Sequence, residues 1–324
     1  MRLKFSLIGL IVLLILVGII WRLSRPGGMM LSPGGETVKE QPYDKYSFER
    51  LVTRGDKASE IEVMGDKFYY VSEGRRISGE INQAEGEVRG IVVMARGYAE
   101  KEGYKTGTGT KNAATYYAKN GYTTYAPDFS GYGESDPEDT NALGARLVKP
   151  VEILDLIASV PTGKPIYLWG HSNGGQIMLS VAEVLGHRAG QPDSHGAGVK
   201  GVILWAPVSK PFPYNILYYT DEAEDRGKWL RGEIAKFEAD YDVYNYSLDR
   251  YLDWITMPVQ IHQGSVDSAV PKKWSDELVM LLEELEKEVT YYEYFGADHN
   301  IRPSWNVVVA RDVAWFGQLM KEAP

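Results

Sequence analysis

Trp169 to Met178 read WGHSNGGQIM, and that run leaves few folds open to the chain. Ser172 stands between Gly170 and Gly174 in the pattern G-x-S-x-G, with His171 and Asn173 on either side. The apolar "PIYLW" before it predicts a buried strand, and "QIMLSVAEVLG" after it predicts a helix. A strand that turns into a helix this abruptly needs glycine on both sides of the serine, because a side chain there would collide with the backbone. The serine is then held strained, its hydroxyl lifted above the sheet and the free N–H groups of the helix start beside it. An ordinary glycine-rich turn would lack the flanking strand and helix.

The same alternation runs along most of the chain. "RISGEI", "GIVVMA", "YTTYAP", "PIYLWG", "VKGVILWAP", "PVQIHQG" and "VTYYEYF" predict strands. "TGTKNAATYYAKNG", "NGGQIMLSVAEVLG", "KKWSDELVMLLEELEKE" and "WNVVVARDVAWFGQLMKE" predict helices, and "NALGARLVKPVEILDLIASV" predicts a helix broken before Pro150. Short apolar strands separated by helices imply an α/β fold, a mostly parallel central sheet flanked by helices, with the first strands free to pair antiparallel. Between about 207 and 255 a tyrosine- and acid-rich, helix-prone segment interrupts this rhythm, as an inserted helical cap would.

A serine hydroxyl needs a base, and the base needs an acid. Of the five histidines, His299 lies in "YFGADHNI", on a loop at the carboxyl end of the last strand, where it can reach over the sheet. His262 sits inside a strand and reads as a core residue. His187 and His195 flank a loop and read as solvated, and His171 is expected to point away along its own turn. Asp267, on the loop after the preceding strand, is the expected acid; Asp298, adjacent to His299, is the rival. The chain order Ser172, Asp267, His299 is that of α/β-hydrolases. The oxyanion donors are expected to be the N–H of Asn173 and Tyr98, through its N–H or its hydroxyl.

With these residues placed, the chain resembles the α/β-hydrolase superfamily. More narrowly, it resembles the catalytic domains of prolyl oligopeptidase-like serine peptidases and the dienelactone hydrolase-like esterases. The carriers are "ISGEI…GIVVMARGY", "YAPDFSGYGESD", "GHSNGG", "IHQGSVDSAVP" and "YFGADHN", between about 69 and 316. The resemblance implies Ser172 as nucleophile, Asp267 as acid and His299 as base. It also implies that Asp128, Gly131 and Gly133 shape a turn near the site. The sequence departs from the family where a His-Gly pair is expected: here it is Arg96-Gly97.

Outside the domain, Phe5 to Trp21 are about 17 uncharged residues, at the short end of what spans a bilayer as a helix. No small-x-small site closes the run, which favours an uncleaved single-pass anchor over a signal peptide. The expected organisation is an anchor at 1–25, a Pro/Gly tether at 26–45 and a hydrolase domain at 46–324, on the extracytoplasmic side. A net charge of −9 argues against nucleic acid as a partner. "GTGTK" lacks the spacing of a nucleotide-binding loop. No metal or other cofactor is implied, and the chain has no cysteine.

The function these features imply is a membrane-anchored serine hydrolase acting through an acyl-enzyme on a peptide or a small ester, with peptidase favoured over esterase. A noncatalytic binding module on the same scaffold would be expected to lack a triad member. Tyr214, Tyr218, Tyr219 and Trp229 in the cap are expected either to line the entrance or to pack the cap down. The acids Asp221, Glu222, Glu224 and Asp225 would favour cationic substrates if they faced that entrance, and would otherwise lie on a solvated outer face.

Overall fold

Nine strands form among the described residues, most of them from apolar runs, and most lead into a helix. The protein is seen here as a computed structural model, which describes residues 41–161, 163–189, 198–222 and 225–322. The strands are β1 (Glu62–Met64), β2 (Lys67–Ser72), β3 (Arg75–Asn82), β4 (Gly90–Ala95), β5 (Tyr122–Pro127), β6 (Ile166–His171), β7 (Val199–Trp205), β8 (Val259–Gly264) and β9 (Val289–Tyr294). The helices are α1 (Phe48–Thr53), α2 (Lys111–Lys119), α3 (Ala142–Leu147), α4 (Lys149–Ser159), α5 (Asn173–Arg188), α6 (Tyr214–Leu217), α7 (Lys228–Asp240), α8 (Lys272–Glu284) and α9 (Trp305–Glu322).

They build one sheet in the order β1-β2-β3-β5-β4-β6-β7-β8-β9. The first three strands and the β3–β5 junction are antiparallel, and the rest of the sheet is parallel. Alternate side chains of β4 show why both faces must be covered. Ile91, Val93 and Ala95 join the core layer that holds Leu154 of α4 and Met178, Val181 and Leu185 of α5. Val92 and Met94 join the opposite layer with Ala114 of α2 and Val308, Val309 and Phe316 of α9. This is the α/β-hydrolase arrangement that the sequence implied.

Three details differ from the sequence expectation or refine it. The hairpin β1–β2 and helix α1 were not foreseen: β1 is three exposed residues, too short for a pattern, and α1 is a single short helix capped by Ser47. The break before Pro150 falls at Val148, which leaves the proline within the first turn of α4, where its missing N–H costs no hydrogen bond. Helix α8 stops at Glu284, four residues before the end of its predicted run, and Glu286 takes a left-handed φ of 56°.

Between β7 and β8 the expected insert is indeed helical. It consists of α6, α7 and several short 3-10 turns. Phe212, Ile234, Phe237 and Tyr246 of the insert are buried in the same core layer as α5. Tyr43 and Tyr46, ahead of α1, pack against it: Tyr43 stacks on Phe237 at 5.9 Å, and the Tyr246 hydroxyl donates to the Tyr43 carbonyl at 3.2 Å. The expected anchor lies outside the described residues. No described helix is long and apolar enough to cross a membrane.

Candidate active site

Ser172 sits between the last residue of β6 and the first of α5 with φ 58° and ψ −122°, a region that side-chain-bearing residues rarely occupy. Its backbone is pinned on both sides. The Ser172 N–H donates to the Trp205 carbonyl at 2.9 Å, and the Val208 N–H donates to the Ser172 carbonyl at 3.0 Å. The glycines of the motif are required by space. A Cβ on Gly170 would lie 2.4 Å from the Gly174 carbonyl oxygen, and one on Gly174 would lie 2.0 Å from that of Ala95.

The structure brings Asp267 and His299 together. They lie on the loops that follow β8 and β9, which are parallel neighbours. The His299 Nδ1–H donates to Asp267 Oδ2 at 2.8 Å. Asp267 is held in turn: its Oδ1 accepts from the N–H of Ala269 at 2.8 Å and of Val270 at 2.9 Å, and its Oδ2 accepts from Gln263 Nε2 at 3.0 Å. Burial alone would raise its pKa, but the hydrogen bonds from His299 and the loop N–H groups outweigh it and hold the carboxyl below the usual range. Asp298 is engaged otherwise. Its Oδ1 accepts from the N–H of Asn300 and Arg302, both at 2.9 Å, and closes the turn that carries His299.

His171 does not point away along its turn. Its ring lies against that of His299, with centroids 4.7 Å apart, and its Nε2–H donates to the His299 carbonyl at 2.9 Å. Burial, with His299 adding to it, pushes the His171 pKa down to about 4, so the ring is neutral at physiological pH. His262 is a core residue: it is fully buried, hydrogen-bonded to the Tyr294 hydroxyl at 2.7 Å and 2.9 Å from Asp312. His187 is exposed, its ring tilted 40° to that of Trp254 with centroids 4.1 Å apart, while His195 lies outside the described residues.

On the oxyanion side, Asn173 is the first residue of α5, so its N–H has no acceptor within the helix. Tyr98 follows Gly97, where an added Cβ would stand 3.0 Å from Ser172 Cβ. The Tyr98 ring is 68% exposed and its hydroxyl donates to Glu100 at 3.0 Å, which leaves the N–H as its available donor. Arg96, in the position where the resemblance expects histidine, is a brace that the sequence did not reveal. It donates to the Gly97 carbonyl at 2.9 Å and the Asp128 carbonyl at 3.0 Å, and lies over the Tyr132 ring at 4.1 Å. Asp128 shapes the expected turn: it accepts from Ser78, Tyr104 and Thr106, and a Cβ on Gly133 would meet it at 2.1 Å.

Next to Asn173 a cavity of about 60 Å³ opens. Gln176 and Ile177 of α5 line it, together with Phe48, Phe212, Ile216 and Tyr246, and with Arg146 and Lys149 at the α3–α4 break. None of the four cap aromatics, expected either to line the entrance or to pack the cap down, is among its walls. Tyr214, Tyr218 and Tyr219 gather instead around Trp274 of α8, at 6.2, 4.7 and 6.3 Å, and the Tyr219 hydroxyl donates to the Ala269 carbonyl of the acid loop. Trp229 is 58% exposed on α7. Of the acids, Asp225 caps the Trp229 N–H at 2.8 Å and Asp221, 86% exposed, pairs with Arg231, while Glu224 lies outside the described residues.

The sequence model of the family described as serine aminopeptidase, S33, matches residues 86–237, which takes in Ser172 and ends before Asp267 and His299. No curated protein matches the chain. Among solved structures, a puromycin-hydrolyzing peptidase of Mycobacterium tuberculosis is similar at 18% identity and a TM-score of 0.56, over 76% of this chain and 38% of that one. Est1E from Butyrivibrio proteoclasticus is similar at 17% identity and 0.55, over 80% of this chain and 100% of its own. A lipase in its open form reaches 16% and 0.55, over 78% and 98%. The chain thus spans well under half of that peptidase and the whole of Est1E. At these identities the likeness carries the fold, which is that of α/β-hydrolases, and the family match, over just under half of the chain, supports a hydrolase.

Proposed function

We propose that the protein cleaves an acyl bond through an acyl-enzyme on Ser172, with His299 as base and Asp267 as the acid that fixes it. The observation that carries this reading is the 2.8 Å Asp267–His299 hydrogen bond on the two loops that follow β8 and β9. Asp267 holds the proton on His299 Nδ1, which leaves Nε2 free to accept the Ser172 proton as Oγ attacks the carbonyl carbon. The N–H groups of Asn173 and Tyr98 stabilise the oxyanion. His299 then gives the proton to the leaving amine or alcohol, and water, activated by the same ring, releases the acid.

Two leaving groups have support. The serine aminopeptidase family match and the likeness of the acid loop to prolyl oligopeptidase-like peptidases favour an amide. The cavity favours an ester: its walls are largely apolar, and no carboxylate lines it to hold a peptide's α-ammonium. Peptide anilides and aryl esters assayed side by side decide between them. Amide turnover within about tenfold of ester turnover supports the peptidase; ester turnover alone supports the esterase. The Ser172→Ala protein should lose about 10⁶-fold in kcat on either.

The apolar Phe5–Trp21 run supports a single-pass anchor, and the absence of cysteine is compatible with a hydrolase domain on the extracytoplasmic side. Fractionation of the full chain against residues 46–324 alone tests the anchor.

A further inference from the structure

The cavity beside Asn173 carries charge of one sign. Arg146, in the last turn of α3, and Lys149, at the start of α4, both line it. Among the described residues neither has an ion-pair or hydrogen-bond partner; Lys149 Nζ rests only on ring faces, 5.5 Å from Phe129 and 6.0 Å from Tyr132. The acids whose fields reach both sites or one of them are engaged elsewhere. Glu138 pairs with Lys101. Glu152 is buried, accepts from the Ser130 N–H at 3.2 Å, and has its pKa pushed up to about 7 by that burial. A third cation, Arg96, stands behind them, satisfied by its own carbonyls.

Unpaired cations are costly to keep together in a partly buried site. Burial, then Arg96 and Arg146, lowers the Lys149 pKa to about 7, and burial lowers that of Arg146 as well. An anion placed between them would remove that cost. Phe48, Phe212 and Ile216 share the lining with the cations, and the first turn of α5 adds the positive end of its dipole. At roughly 10–15 Å³ per water, the volume suits a handful of waters or one small group. A compact apolar body ending in a monoanion matches all three features. An arginine fork suits a carboxylate.

We propose that this cavity is a substrate subsite that holds a carboxylate between Arg146 and Lys149, so that the enzyme selects anionic substrates. The inference rests on the proposed function for its link to turnover, but the binding it asserts is separate. The test uses full-length Ser172→Ala protein, to prevent turnover, with phenylacetate and its neutral analogue phenylacetamide as probes, titrated calorimetrically. Phenylacetate should bind about tenfold or more tighter. Arg146→Gln and Lys149→Met should each cut that ratio, and Arg146→Lys should keep part of it. Equal binding of the two probes, or a ratio that neither substitution changes, overturns the inference. Ester turnover without a charge ratio would sink this inference alone; a charge ratio without turnover at Ser172 would sink the proposed function alone.

Discussion

Asp267 has both carboxylate oxygens engaged, and only one of its partners is His299. The other three fix the carboxylate before the histidine is considered, which suits the orienting role proposed for it. Asp267→Asn should therefore cost about 10⁴-fold in kcat, by putting the wrong tautomer on His299. Asp298→Asn, which disturbs only a turn, should cost far less; kinetics of the two variants that ranked them the other way would exchange their roles. His171 gives a second residue-scale test. Its folded pKa of about 4 lies below its ordinary 6.5. Between those values the unfolded chain binds the proton and the folded one does not, so His171 makes stability fall as pH drops through that window and level off below it. Glu152, raised to about 7, works in the opposite direction as pH rises from its ordinary 4.5. The measurement is therefore a difference: Tm of the wild type minus that of His171→Phe should decline from pH 6.5 to pH 4. A flat difference would mean that His171 titrates normally.

At the scale of elements, the strand-to-helix elbow is fixed by space. Gly174→Ala would drive a methyl group to 2.0 Å from the Ala95 carbonyl oxygen, so β4 and α5 would have to part. The expected loss is about 3 kcal/mol or more in denaturant unfolding; a loss below about 1 kcal/mol would show that the contact is easily relaxed. The elbow could be found in the sequence because everything it needs is local: a strand, two glycines and a helix within about twenty residues. Asp267 and His299 could be picked out because each follows a strand with a clear pattern. Arg96, Arg146 and Lys149 could not. Their roles depend on what is missing around them or on distant carbonyls such as that of Asp128; in sequence Arg96 showed only as a departure from an expected histidine, and Arg146 and Lys149 as polar positions of a broken helix. The three exposed residues of β1 gave no pattern to read.

For the whole molecule, charge and site run in opposite directions. The chain carries a net −9, yet the cavity beside Asn173 is lined by two cations and no carboxylate. Of the acidic run in the cap, which would have favoured cationic substrates only if it faced the entrance, Asp225 caps a helix and Asp221 pairs with Arg231. The cap still matters to the site, because Phe212, Ile216 and Tyr246 come from it and form one wall of the cavity. The proposed chemistry rests on one serine whose backbone is strained and whose hydroxyl, on that proposal, is activated by His299. The most direct measurement is labelling of the native full-length protein with a fluorophosphonate, followed by peptide mapping. The account predicts a single adduct on Ser172, lost on heat denaturation before labelling and strongly reduced in His299→Ala. An adduct on another residue, or equal labelling of folded and unfolded protein, would contradict it.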